Sequence, residues 1–160
     1  VFLHRITGWN DPKLGSLMNI VQSSFPANEQ MRWSWWVELL RELSHDAPSS
    51  AHRVLLAATE DENPDALADV VGIEPSDSAP TAPGICFLYY LAVAPGTRSK
   101  GIGSALYRQI VERTLTDGDC TALLFEVEDP AEMAKTSAEA KELAERRIAF
   151  YQRNGAKLLN

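Results

Sequence analysis

From Leu91 to Leu106 the chain reads LAVAPGTRSKGIGSAL. The beginning of this stretch completes a continuous apolar run from Ile85 to Val93, which is typical of a strand covered on both faces. The remainder contains a proline, three glycines and two basic residues, and a helical pattern starts at Gly101. The stretch therefore predicts a buried strand, a short loop and a helix in direct succession.

The start of that helix has the properties of a phosphate-binding site. Backbone N–H groups in the first turn of a helix have no intrahelical acceptor, and the helix dipole favours an anion there. Gly101 and Gly103 present no side chain to an approaching phosphate, while Arg98 and Lys100 add positive charge. We therefore predict that a pyrophosphate is bound by Arg98, Ser99, Lys100, Gly101, Ile102, Gly103 and Ser104.

Three phosphate-binding motifs can be compared with this stretch. A Walker loop requires a lysine after its last glycine, but no lysine follows Gly101. A dinucleotide fingerprint requires a third Gly or Ala where Leu106 stands, and it begins directly after the strand. The third pattern, Arg/Gln-x-x-Gly-x-Gly/Ala after a strand ending Leu-Ala-Val, matches at every position. An unrelated nucleotide-binding α/β protein and a glycine turn with incidental basic residues stay as alternatives.

The rest of the chain predicts one α/β layered domain over residues 1–160, without a boundary between two domains. Apolar residues recur with the spacing of strands in some segments and of helices in others. We expect strands at Phe2–Thr7, Val54–Thr59, Val70–Ile73, Ile85–Val93, Thr121–Val127 and Ala156–Leu159, helices at Asp11–Phe25, Glu29–Ser44, Gly101–Thr116 and Asp129–Asn154, and a loop at Glu74–Gly84.

The net charge, the length of the apolar runs and the spacing of cysteines and histidines limit the possible classes of function. The net charge of −7 disfavours generic binding to nucleic acid and suits a cationic amine, although solubility alone also explains it. No apolar run approaches the roughly 20 residues of a membrane helix and no secretory leader is recognisable, so a cytoplasmic location is the default expectation. No metal site is expected, because ligand spacing is absent among Cys86, Cys120, His4, His45 and His52.

A second segment, residues 147–156, reads RIAFYQRNGA and has the form of a helix that ends Tyr-x-x-x-Gly, from Tyr151 to Gly155. Alone this form is weak evidence, because any amphipathic helix capped by glycine can imitate it. Together with the glycine loop that precedes it, the segment resembles the GNAT superfamily of N-acetyltransferases. The resemblance covers roughly Val54 to Leu159.

Some positions depart from the pattern of that superfamily. Ala156 replaces an aromatic residue, and Ala144 stands where an asparagine often contacts the coenzyme. A charged stretch, about Ala131 to Glu142, lengthens the connection before the helix. The superfamily normally has a final strand beyond Asn160, so two alternatives stay open: the sequence is a fragment, or that strand comes from elsewhere.

The resemblance implies the acyl-CoA N-acyltransferase fold, a mixed and mostly antiparallel sheet that is splayed near its centre and flanked by helices. It implies acetyl-CoA as the cosubstrate, with the pantetheine arm paired to the backbone of Leu91 and Val93. The N–H of Val93 would bind the thioester oxygen as that oxygen gains charge. The acceptor amine would attack the thioester directly.

Such a transfer requires two proton movements, because an alkyl amine with a pKa of about 10.4 is mostly protonated at neutral pH. The match makes Tyr151 the expected acid for the departing sulfur, although a half-buried core tyrosine is the alternative interpretation. Glu126 is the expected base. Strand alternation places Glu128 on the same face, where a second carboxylate would raise one pKa. Glu126, Glu128 and a water stay open as the base, as does a solvated strand end.

The sequence therefore predicts the transfer of an acetyl group from acetyl-CoA to a primary amine of a small molecule or peptide. A non-catalytic module that binds or senses acetyl-CoA is the alternative. Tyr89, Tyr90 and Glu29 are candidates for the acceptor pocket without assigned roles. A homodimer is an expectation from the superfamily alone.

Overall fold

The structure, a computed structural model, describes residues 1–6, 8–27, 29–44, 52–58, 64–73, 84–116 and 120–159. The described residues form strands, α-helices and one short 3-10 helix at Pro95–Thr97. In chain order these are β1 (Phe2–Arg5), α1 (Leu14–Ser24), α2 (Trp33–Ser44), β2 (His52–Ala58), β3 (Ala66–Ile73), β4 (Gly84–Val93), α3 (Ile102–Thr116), β5 (Cys120–Leu124), α4 (Pro130–Met133) and α5 (Ala138–Arg153).

One sheet contains the strands in the order β1-β2-β3-β4-β5. Each of the first four strands pairs antiparallel with the next, whereas β5 runs parallel to β4. The prediction of a mixed, mostly antiparallel sheet flanked by helices is therefore confirmed.

The ladder between β4 and β5 covers only the first part of β4. It runs from the pair Gly84 and Cys120 to the pair Phe87 and Leu124, where β5 ends. On its other edge β4 stays paired with β3 as far as Val93. Beyond Phe87, β4 therefore has a described strand on one edge only.

Buried apolar side chains pack α1 and α2 against one face of the sheet. Neighbouring residues of a strand point to opposite faces, so the fully buried Ala66 and Ala68 lie on the face away from Leu67. Both faces of β3 are therefore covered, and α3 contacts β2, β3, β4 and β5. The cluster on the Leu67 face consists of Ile6, Leu17, Ile20, Val21, Trp36, Leu40, Leu67 and Ala92.

The predicted helix at Asp129–Asn154 is wrong in one respect, because it consists of two helices. The carboxylate of Asp129 accepts a hydrogen bond from the N–H of Ala131 at 2.8 Å and caps α4. The hydroxyl of Ser137 accepts one from the N–H of Ala140 at 3.0 Å and starts α5. Each cap supplies an acceptor for an N–H that a helix start leaves without one.

Two predicted strands also differ from the structure. The strand predicted at Thr121–Val127 ends at Leu124, because the ladder with β4 ends there. Residues 156–159 form no strand. Instead, the N–H of Ala156 donates back to the carbonyl of Tyr151 at 3.1 Å.

The helix predicted to start at Glu29 begins at Trp33. The N–H of Glu29 donates to the carbonyl of Pro26 at 2.9 Å, and the amide of Gln30 donates to the carbonyl of Phe25 at 2.7 Å. These bonds stabilise a turn before α2, so Glu29 and Gln30 lie outside the helix.

The chain divides into two compact units, a first unit at Val1–Leu124 and a second unit at Phe125–Asn160. The first contains the sheet with α1 to α3, and the second contains α4 and α5. The single domain expected over residues 1–160 stays a prediction. No described helix is long and apolar enough to cross a membrane. His45 and residues 74–83 of the predicted loop lie outside the described residues.

Candidate functional site

The end of β4 turns the backbone groups of Leu91 and Val93 away from β3. The N–H of Ala94 donates to the carbonyl of Asp65 at 2.7 Å, so these two residues continue the antiparallel ladder as a hydrogen-bonded pair. Hydrogen-bonded pairs alternate with non-hydrogen-bonded pairs in such a ladder. Leu91 and Val93 therefore direct their N–H and C=O groups towards the edge that β5 leaves uncovered.

The side chain of Arg98 supports this orientation of Val93. After β4, the N–H and the hydroxyl of Thr97 both donate to the carbonyl of Ala94, at 3.0 and 3.1 Å. This turn brings Arg98 back to the end of the strand, where its Nε–H donates to the carbonyl of Val93 at 3.1 Å. The carbonyl of Val93 thus faces Arg98 rather than β3.

The loop then enters α3 through two residues with left-handed backbone. Ser99 has φ 66° and Gly101 has φ 81°. The carbonyl of Gly101 accepts the first bond of the helix, from the N–H of Ala105 at 2.9 Å. Left-handed residues next to right-handed ones line up successive N–H groups around a concavity that binds anions. At this position the first N–H groups of α3 belong to Ile102 and Gly103.

These features fit the phosphates of coenzyme A. A Cβ added to Gly101 would meet no atom within 4 Å, so the entrance is open on that side. Arg98 and Lys100 are exposed beside it. Ile102 is 1% exposed, so its contribution is its backbone N–H. The edge of β4 likewise fits an extended arm with amide groups, since Leu91 and Val93 offer it donors and acceptors.

Tyr151 lies on α5, in the second unit. Its ring packs against the ring of Phe125 with centroids 4.2 Å apart, and against the ring of Phe150 at 5.2 Å. The residue is half-buried. The contact with Phe125 joins α5 to the segment that carries Glu126.

The end of α5 is the glycine cap that the sequence predicts. Gly155 has φ 94°. Its N–H donates to the carbonyl of Gln152 at 3.0 Å, and the N–H of Ala156 donates to the carbonyl of Tyr151 at 3.1 Å. This pair of bonds defines a Schellman motif, so the last turn of the helix fixes the backbone of Tyr151.

Glu126 and Glu128 lie on residues 125–129, which form neither helix nor strand. Glu126 is exposed, whereas Glu128 is half-buried and accepts a hydrogen bond from the guanidinium of Arg147. Burial alone would raise the pKa of Glu128. The hydrogen bond from Arg147, one from its own backbone N–H and the charge of Arg147 together lower that pKa below its usual 4.5. This differs from the raised pKa expected of two neighbouring carboxylates.

The predicted residues thus fall into two groups. Those expected to bind the coenzyme come together in the first unit, at the end of β4 and the start of α3. Glu126 and Tyr151 lie in the second unit. Sequence reasoning missed Phe125 and the role of Arg147, although Arg147 stands one helical turn before Tyr151. Among the residues that the structure describes, no three His, Cys, Asp or Glu gather at metal-binding distance.

Solved structures with the same fold include enzymes and a regulator. A transcriptional regulator from Bacillus halodurans C-125 has a TM-score of 0.70 at 14% identity, covering 100% of this chain and 95% of that chain. Aminoglycoside 6'-N-acetyltransferase AAC(6')-IG from Acinetobacter haemolyticus has a TM-score of 0.66 at 14% identity, covering 100% and 93%. AAC(6')-Ih from Acinetobacter baumannii has a TM-score of 0.65 at 17% identity, covering 99% and 92%. At these identities the likeness concerns the fold.

Sequence comparison is more specific. The sequence model of the acetyltransferase (GNAT) family matches residues 14–156. No curated protein sequence matches the chain significantly. The family match includes β4, the loop, α3 and the whole of α5.

Proposed function

The chain belongs to the acetyltransferase (GNAT) family, and we propose that it transfers an acetyl group from acetyl-CoA to a primary amine. The observation that carries this proposal is the arrangement at the end of β4. Backbone groups of Leu91 and Val93 face the edge of β4 that no described strand pairs with beyond Phe87, and the chain then turns directly into the helix start at Gly101. An extended arm and a pyrophosphate therefore have adjacent sites within the first unit.

In the proposed reaction, acetyl-CoA supplies an acetyl group as a thioester. The N–H of Val93 donates to the thioester oxygen as charge develops on it. Glu126 takes one proton from the protonated amine, and the free nitrogen bonds to the carbonyl carbon. As the carbon–sulfur bond breaks, the nitrogen releases its second proton to water. The hydroxyl of Tyr151 gives its proton to the departing sulfur. The products are an amide and the free thiol of coenzyme A.

We propose a small, cationic amine as the acceptor. The net charge of −7 favours a cation. Two structures with the same fold are aminoglycoside 6'-N-acetyltransferases, which supports a small molecule as the acceptor. The substrate screen described below distinguishes a small cationic amine from a peptide amine.

Calorimetric titration with acetyl-CoA tests the coenzyme site. We expect micromolar binding that weakens about tenfold to a hundredfold in Arg98→Ala, because a charged hydrogen bond contributes about 1.5–3 kcal/mol. Arg113→Ala is the matched control, since it removes the same charge from the last turn of α3, at the end opposite the loop that carries Arg98. Equal weakening in both variants, or no binding by folded protein, would contradict the proposed site.

Release of coenzyme A thiol with a panel of amines tests the reaction. The panel contains aminoglycosides, polyamines, amino acids and a lysine peptide. We expect activity with a cationic small molecule and a loss of about a hundredfold in kcat for Tyr151→Phe, as a general acid contributes about that much or more. Coenzyme binding with no turnover on any amine would favour the binding module instead.

A further inference from the structure

Residues 125–129 have no regular secondary structure, so no ladder determines where their side chains lie. Two side-chain contacts join this segment to α5 instead. At its beginning the ring of Phe125 lies 4.2 Å from the ring of Tyr151. Near its end the carboxylate of Glu128 accepts a hydrogen bond from Arg147. Glu126 stands between these two contacts in the chain.

The two partners on α5 share one face of the helix. Arg147 and Tyr151 are spaced i and i+4, and residues with that spacing are neighbours on a helix surface. One helix face therefore contacts both Phe125 and Glu128. Because Glu126 lies between them, its position relative to Tyr151 depends on both contacts.

We propose that Glu128 and Arg147 are positioning residues for acetyl transfer, whose ion pair keeps Glu126 in place relative to the hydroxyl of Tyr151. This inference rests on the proposed function, because the distance between Glu126 and Tyr151 affects the rate only if these residues act as base and acid. Neither Glu128 nor Arg147 has to touch a substrate.

The exposure of the pair separates a positioning role from a stabilising one. The side chains of Arg147 and Glu128 are 38% and 37% exposed. Ion pairs that water reaches this well contribute little to folding stability. A charged hydrogen bond still restricts the relative position of its partners. Removing it should therefore leave the protein folded and change the geometry around Glu126.

The experiment measures kcat and the KM for acetyl-CoA in Glu128→Gln, Arg147→Gln, their double variant, and the swapped variant Glu128→Arg with Arg147→Glu. The matched control is Glu145→Gln. Glu145 pairs with Lys141 at 3.5 Å on the same helix, and both side chains are about half exposed. The control thus removes an ion pair from α5 without altering the contacts of residues 125–129.

We expect kcat to fall about tenfold to a hundredfold in each single variant, as small displacements of reacting groups can cost that much. The KM for acetyl-CoA stays unchanged, the double variant is no worse than either single one, and the swapped variant recovers part of kcat. Unchanged kcat in the single variants, additive losses, or an equal loss in Glu145→Gln would overturn the proposal.

Hydrogen exchange without substrate provides a readout that does not depend on turnover. In Glu128→Gln we expect faster exchange in peptides covering residues 125–129 and unchanged exchange in the middle of α5. Unchanged exchange in that segment would overturn the positioning role even if the enzyme is active. Faster exchange in a protein that acetylates no amine would instead support the restraint on Glu126 and count against the proposed function.

Discussion

Gly101 has a backbone conformation that other residues adopt only with strain. Its φ of 81° is left-handed, and a Cβ there would meet no atom within 4 Å. Gly101→Ala therefore adds backbone strain without a steric clash, and we expect it to lower the free energy of unfolding by about 1 kcal/mol. Urea denaturation measures this change.

Gly96 provides the control from the same connection. A Cβ there also meets no atom within 4 Å, but its φ is not left-handed. Gly96→Ala should leave stability unchanged or slightly higher, because alanine restricts the unfolded chain. Equal destabilisation by both substitutions would show that the left-handed conformation of Gly101 is not the cause.

Single residues in the connection from β4 to α3 show which local features the sequence predicts. The turn from β4 into α3 was predictable because proline and glycine restrict or free the backbone locally. A positive charge beside the helix start was also predictable, since Arg98 belongs to the same stretch. Its hydrogen bond to the carbonyl of Val93 was not, because that bond depends on the path of the intervening turn.

At the scale of elements, the cap of α5 gives a specific prediction. The hydroxyl of Ser137 accepts the bond from the N–H of Ala140, and we expect Ser137→Ala to cost about 1 kcal/mol of unfolding free energy. Thr136→Ala is the control, since Thr136 is exposed in the turn before the cap. Thermal or urea unfolding should separate the two, and a null effect of Ser137→Ala would exclude a contribution from the cap.

The pair of Glu128 with Arg147 predicts a pH dependence. The folded protein lowers the pKa of Glu128 below 4.5, so it favours the charged carboxylate. The stabilisation is therefore present above the pKa of the unfolded chain and is lost as pH falls through the lower folded value. We expect Glu128→Gln to be slightly less stable than the unmodified protein at pH 7. The gap should close below pH 4.5, and urea midpoints across that range measure it.

The ends of elements were harder to predict than their existence. Apolar runs identified β4 and β5, but the end of β5 at Leu124 depends on where its ladder with β4 stops. In the same way, the Ala- and Glu-rich composition favours helix throughout residues 130–153 and conceals the break before Ser137. Alternation along the predicted strand placed Glu128 on a strand face, because the sequence does not show where the ladder ends. The contact of Glu128 with Arg147 on α5 could therefore not be predicted.

At the scale of the whole molecule, the net charge of −7 predicts an effect of salt. If the acceptor is a cation, long-range attraction raises its local concentration, and salt screens charges beyond about 10 Å at 0.1 M. We expect the KM of a polycationic acceptor to rise severalfold between low and high ionic strength. A zwitterionic amine is the control. An equal rise in KM for both amines would mean that salt acts on coenzyme binding and not on the acceptor.

Before acetyl-CoA binds at the proposed site, the second edge of β4 has no strand partner among the described residues beyond Phe87. Beyond Phe87, this inner strand offers the same row of donors and acceptors that outer strands present. Such a row is a template for any extended chain, including another copy that is only partly folded. An arm that pairs with Leu91 and Val93 blocks that template while it is bound. Under the proposed function that arm belongs to acetyl-CoA, so its binding would then protect the protein from aggregation.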